Sequence, residues 1–301
     1  MENEVNKIAN EQLANNSSSA TGKNYDGEPE YVMLPSQGIY YNDLYKGLDK
    51  LKVRKLNWED EDILTTKSYY DNGTLFDEIL KNCIVDDNGF KASQLVPVDR
   101  DTILWWLRIS AFGPEYEIPW TCPEDDCKKS GKATWHLGKF MAPDLPEQYA
   151  EELIATGGIV ITLPISGLKC KLGVSSIGRE REIDKKLKQK KSTLKVTRDY
   201  FSTGKLISVI KEIYDAEGKV LKDSESILNW LKTGFNGQPI PILDSRHIFK
   251  EAKKISLKID TKINVTCEHC GYTQEGVEMP MSIYFFWPEF EELSGISGEK
   301  Y

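Results

Sequence analysis

Hydrophobic and polar positions change their spacing several times along the chain. "LDKLKVRKL", Leu48 to Leu56, alternates apolar with polar residues and predicts a strand. "NWEDEDIL" then offers Asn57 as a helix N-cap, with acids in the first turn where the helix dipole favours them. "GTLFDEILKNCI" has helical spacing and predicts burial of Leu75, Ile79 and Cys83. "VDRDTILWWLRISAFG" is the clearest helix. Ile103, Leu104, Leu107 and Phe112 fall near one face, Asp99 or Asp101 is placed to cap it, and Gly113 to end it. Trp105 and Trp106 are expected as core or interface anchors.

"GIVITLPISGLKCKLGV" predicts a hairpin, with strands over 159–163 and 168–174, a turn at Pro164 to Gly167, and Cys170 as a packing residue. Helices are expected through Arg181–Leu187 and Lys205–Ile213, then a hairpin turn at Gly218. "SESILNWLKTG" predicts a short helix capped by Ser224, and "LDSRHIFKEAKKI" another capped by Asp244 or Ser245. The mixture of period-2 and helical segments gives an α+β class built from short antiparallel hairpins and helices. Two stretches echo each other. "LPSQGIYY…LKVRKLNWEDEDIL" and "LPISGLKCKLGVSSIGREREI" both run Leu-Pro, a glycine turn, a strand and a charged helix start. A modest internal repeat and a chance similarity both account for the echo.

Residues 1–29 have few large apolar side chains and no periodicity. Such a stretch buries too little surface to offset its ordering entropy, so it is expected to be a disordered or partner-ordered arm. It carries no apolar run of a signal peptide, and nothing in the chain approaches the roughly 18 apolar residues of a membrane span. The 301 residues, 40% hydrophobic, suffice for two average domains or one elaborate one. A net charge of −8 opposes long-range attraction to nucleic acid. The densest basic run, "REREIDKKLKQKKSTLK", interleaves acids and reads first as a solvated helix face.

The candidate chemistry lies in the cysteines. Of six, Cys122 and Cys127 form one close pair and Cys267 and Cys270 another, more than a hundred residues downstream. In a reducing compartment such pairs point to metal ligation before disulfides. Each pair sits between strand-like flanks, so each is a thiolate-bearing turn and half of a tetrahedral four-cysteine zinc site, a zinc-ribbon-like arrangement. "CEHC" followed by Gly271 is the stronger knuckle; "CPEDDC" is looser and carries acids between its sulfurs. The competing expectation is that the hairpins only pack. Four cysteines would close the site and make the metal structural. His136 and His269 lie near the pairs, and His247 has no ligand partner nearby in sequence. No phosphate-binding glycine loop, H-E-x-x-H or nucleophile elbow is present, so no catalytic residue is assigned. The expected organisation is an arm (1–29), an N-terminal α+β region (30–116), two ribbon halves (117–142 and 259–290), an inserted α+β region (143–258) and a tail (291–301). The zinc would clamp the ends of the insertion.

"SIYFFWPEF" concentrates Tyr284, Phe285, Phe286, Trp287 and Phe290, which suit either the chain's own core or a partner interface. "MLPSQGIYY", "VDRDTILWWLRISAFG", the first cysteine pair, "LDSRHIFKEA", "CEHCG" and "MPMSIYFFWPEF" occur in that order. The series resembles the baseplate hub subunits and hub assembly proteins of T4-like contractile-tailed bacteriophages. The resemblance touches points from about residue 31 to 290. It implies a structural or assembly role in the virion tail, with other baseplate and tail proteins as partners and no small-molecule substrate. Two other classes stand beside it: a nucleic-acid-associated zinc-ribbon protein, and an enzyme whose site would be a cleft of acids such as Asp99, Asp101 and Asp244. Deleting residues 1–29 should leave a cooperatively folded body, checked by thermal unfolding. Failure of a chain starting at Glu30 to fold would show that the arm belongs to the core.

Overall fold

The computed structural model describes residues 28–86, 88–139, 145, 147–194, 200–214, 220–281 and 285–286. The fold is α+β. Strands β1 (Glu30–Met33) and β2 (Lys50–Val53) form an antiparallel hairpin. Helices α1 (Asp60–Thr65), α2 (Lys67–Asp71) and α3 (Leu75–Cys83) follow, then the long α4 (Pro97–Phe112). Strands β3 (Glu115–Thr121) and β4 (Ser130–His136) make the first cysteine hairpin. Helix α5 (Ala150–Thr156) leads to β5 (Ile159–Thr162) and β6 (Lys169–Leu172), then α6 (Ile177–Leu194) and α7 (Phe201–Val209). β7 (Ile210–Tyr214) and β8 (Val220–Leu221) complete a four-stranded sheet of order β5-β6-β7-β8. Helices α8 (Ser224–Thr233) and α9 (Ile242–Ile255) precede the second cysteine hairpin, β9 (Ile263–Thr266) and β10 (Thr273–Val277).

Helix α4 is the centre of the first half. Ile103, Leu104, Trp105, Trp106, Leu107 and Ile109 are all buried, so the helix is apolar around most of its circumference and is covered on most sides. Phe112, expected on the buried face, is 45% exposed, and the Arg108 guanidinium sits 4.9 Å from its ring centroid. Gly113 ends the helix at φ 83, a conformation that suits glycine. Leu75, Ile79 and Cys83 of α3 are buried as their spacing predicts.

Several caps differ from expectation. Helix α1 begins at Asp60, three residues after Asn57. Asn57 Oδ1 instead accepts the Glu59 amide at 3.0 Å, while Asp60 is buried and takes a two-pronged bond from Arg54. Helix α8 is capped by Asp223, whose carboxylate accepts from Ser226 N at 2.8 Å, and not by Ser224. The helix expected through Ile213 stops at Val209. Ile210 and Ile213 are drawn into the sheet beside β6, where both are fully buried, and tertiary pairing overrides local helical spacing. Gly218 lies outside the described residues.

Asp99 and Asp244 depart furthest from their expected roles. Neither caps its helix. The N-cap of α4 is Val96, with Pro97 in the first turn, and that of α9 is Pro241. Both aspartates occupy the third helical position, are wholly buried, and turn their carboxylates to a distant Leu-Pro turn. Asp99 accepts from Ser36 N at 2.9 Å and from the hydroxyls of Ser36 and Tyr41. Asp244 accepts from Ile165 N at 2.8 Å and Ser166 N at 3.0 Å. A buried backbone N–H without an acceptor costs about 1–3 kcal/mol, so these carboxylates fix both turns.

Burial pushes the Asp99 carboxyl up to about 6, against the pull of its bonds from Ser36 and Tyr41. The folded chain therefore holds this proton more tightly than the unfolded chain, where aspartic acid titrates near 3.9. The associated stability is complete below about pH 4 and is lost as pH rises through about 6. Asp99→Asn should flatten that slope while keeping an acceptor for Ser36 N, whereas Asp99→Ala should cost about 3 kcal/mol. Denaturant unfolding across this pH range checks both. Identical slopes in Asp99→Asn and the natural chain would show that the carboxyl stays ionised throughout.

Candidate metal centre

The first cysteine hairpin has seven-residue strands in full register, from Glu115 opposite His136 to Thr121 opposite Ser130. Cys122 continues directly from β3, and its amide donates to Lys129 O at 3.0 Å, closing the tip. Cys127 N and Lys128 N both donate to Glu124 O, at 3.0 and 3.1 Å, so the two extra residues of this knuckle coil into a compact turn. The second hairpin is tighter. Cys267 N donates to Tyr272 O at 2.8 Å, and Gly271 N to Cys267 O at 2.9 Å. Gly271 sits at φ 74, the left-handed region that its sequence position after the second sulfur anticipates.

These hairpins meet at their tips. The sulfurs of Cys122, Cys127, Cys267 and Cys270 all lie within 4.8 Å of one another. Cys122 Sγ is 3.7 Å from Cys270 Sγ, and Cys127 Sγ is 3.8 Å from Cys267 Sγ. A disulfide would need sulfurs about 2.05 Å apart. A tetrahedron with arms of about 2.3 Å has edges of about 3.8 Å, so these two pairs already have the separation that a four-thiolate ion requires. The four cysteines could hold a metal ion. The backbone amides of Cys270 and His269 point at the Cys267 sulfur and draw its thiol down to about 7, which favours the thiolate that ligation needs. His136 instead faces Glu115 at 3.3 Å, and neither it nor His269 joins the sulfur cluster. His247 lies in α9.

Side chains behind the sulfurs hold the hairpins together. Trp120 Nε1 donates to Gln274 Oε1 at 2.9 Å, Trp135 Nε1 to Thr261 O at 2.9 Å, and Tyr116 OH to Pro280 O at 3.1 Å. Tyr116 also meets the ring of Phe285 at 5.3 Å, Phe285 meets Phe286 at 5.1 Å, and Phe286 meets Phe76 at 5.9 Å. Phe285 and Phe286, offered by the sequence as partner anchors, are thus buried in the chain's own core. Tyr284, Trp287 and Phe290 lie outside the described residues.

The profile of a family described as T4 bacteriophage base plate protein matches residues 31–287. The chain belongs to that family. A base plate protein has its place in the phage tail, with other tail proteins as partners. No curated protein and no solved structure matches the chain. Among the described residues no helix is long and apolar enough to cross a membrane.

Sequence reasoning missed the supports of this base plate protein's centre: Asp99, Asp244, Tyr116 and Trp135. The signal lay in the two Leu-Pro turns and in a constant spacing, since Asp99 precedes Cys122 by 23 residues and Asp244 precedes Cys267 by 23. Elemental analysis of the purified protein should find one ion per chain. Cys267→Ser should weaken binding by a hundredfold or more, a magnitude of about 3 kcal/mol at 1.4 kcal/mol per decade, and loosen both hairpins without unfolding the rest. Full metal occupancy in that variant would remove Cys267 from the ligand set.

Proposed function

We propose that this protein is a hub subunit or hub assembly component of a T4-like baseplate, acting through protein–protein contacts, with a structural zinc ion at the four cysteines. The observation that carries the reading is the base plate family match over residues 31–287, and the resemblance of the ordered motifs to those of hub subunits supports the hub role. Zinc fits the donor set: four thiolates near tetrahedral separation suit zinc, and four protein ligands leave no open position for a substrate or a reactive water. In a protein with its own core, the ion's role is to lock the two hairpin tips. Phe285 and Phe286 anchor their segment from within. We assign the partner contact to the remaining aromatics of the same stretch, Tyr284, Trp287 and Phe290.

The other two readings gain little. The basic helix α6 pairs Lys186 with Glu182 at 2.6 Å and Lys188 with Asp184 at 2.8 Å, one turn apart, as a solvated helix face does. Of the acids suggested for a catalytic cleft, Asp99 and Asp244 serve different turns and Asp101 pairs with Arg100 at 2.7 Å. Mass spectrometry of purified phage tails and of assembly intermediates should find this chain with the central baseplate proteins. Its absence from both would overturn the hub reading.

A further inference from the structure

The two halves of the chain follow one plan. In the β1–β2 ladder Tyr31 faces Lys52, Val32 faces Leu51 and Met33 faces Lys50. In the β5–β6 ladder Val160 faces Lys171, Ile161 faces Cys170 and Thr162 faces Lys169. The returning strands, KLKV and KCKL, bury the same alternate positions: Leu51 and Val53 in one, Cys170 and Leu172 in the other. Both hairpins turn through Leu-Pro-x-x-Gly, with Gly38 at φ 70 and Gly167 at φ 71. Both close the same way, with Leu34 N donating to Asp49 O at 2.7 Å and Leu163 N to Leu168 O at 2.8 Å.

The correspondence continues past the hairpins. A nine-residue helix, α3 or α7, runs to the edge of each returning strand. Its last carbonyl accepts the amide just beyond that strand: Arg54 N to Cys83 O and Gly173 N to Val209 O, both 2.9 Å. The next residue is an isoleucine that pairs with the strand, Ile84 with Val53 and Ile210 with Leu172. After it, directly in the first half and beyond the additional helix α8 in the second, comes the helix whose third residue is the buried aspartate, bonded to the second residue after leucine in its turn, Ser36 or Ile165. Each aspartate is followed after 23 residues by the first cysteine of a knuckle.

The pairing between the knuckles is reciprocal. The first cysteine of each lies close to the second cysteine of the other, at 3.7 and 3.8 Å. Likewise Trp135 of the first hairpin bonds the approach to β9, while Tyr116 bonds the exit from β10. Reciprocal contacts of this kind are the signature of a two-fold axis. We infer that the chain is a tandem duplication closed on itself as an intramolecular dimer. One unit runs from Glu30 to about Leu137, the other from Ile159 to about Met281, and the four-cysteine centre is their shared seam. Each unit's binding partner is the other copy. The span between the knuckles is then the body of the second unit, with β8, α8 and the long α6 as its own elaborations.

Exchanging the knuckles in the full chain tests the equivalence. Replacing the four residues between Cys122 and Cys127 with the Glu-His pair of the second knuckle should leave the metal content per chain unchanged, as should the converse exchange. Loss of metal from both exchanged chains while they remain folded would overturn it. An experimental structure of the natural chain decides without reference to metal. Superposing hairpin, nine-residue helix and knuckle of one unit on the other should require a rotation of about 180°, as a two-fold relation demands. A rotation far from that value would overturn the inference. A natural chain that holds no metal but shows this rotation would instead overturn the zinc assignment and leave the duplication standing.

Discussion

Four sulfur atoms from two remote hairpins converge within 4.8 Å, and the rest of the structure is arranged to make that convergence possible. A hairpin tip is a flexible place to keep a ligand. Here each tip follows a strand that comes after a helix, and each helix is pinned near its start by a carboxylate reaching into a neighbouring turn. The sulfurs are therefore placed by backbone amides and aspartate oxygens a helix-length away. The aromatic contacts of Tyr116, Trp120 and Trp135 then fix one hairpin against the other.

Much of this was legible in the chain. The hairpin at 159–172, helix α3, helix α4 and both cysteine turns follow from spacing and punctuation alone. The four candidate ligands were legible too, because two close cysteine pairs on strand flanks have few other uses in a reducing compartment. The caps were not. An aspartate at the start of a helix suits a capping role locally, and only the packed chain shows that Asp99 and Asp244 serve turns more than sixty residues away. The end of α7 was hidden for a similar reason. "ISVIKEIY" carries helical and strand spacing together, and the partner strand decides between them. In "SIYFFWPEF", density of aromatics could not separate core from interface; burial places Phe285 and Phe286 in the core.

The faint echo between the Leu-Pro stretches also acquires a physical meaning. Two copies of a unit with one knuckle each would bury their seam only by meeting, and joining them in one chain makes that meeting intramolecular. The effective concentration of the second copy is then set by the linker and not by the amount of protein present.

The spacing between turn, carboxylate and sulfur carries a consequence for how such a chain can change length. Between Gly38 and β2 there are eleven residues, whereas between Gly167 and β6 there is one, yet both ladders keep the same register. Lengthening a surface connection costs little, about 0.6 kcal/mol for each doubling. Between each aspartate and its first cysteine the interval is 23 residues in both halves, but it is divided differently: two residues separate α4 from β3 and seven separate α9 from β9. Insertions and deletions should thus collect at hairpin tips and helix links, and in the second half the link between α9 and β9 is one such place.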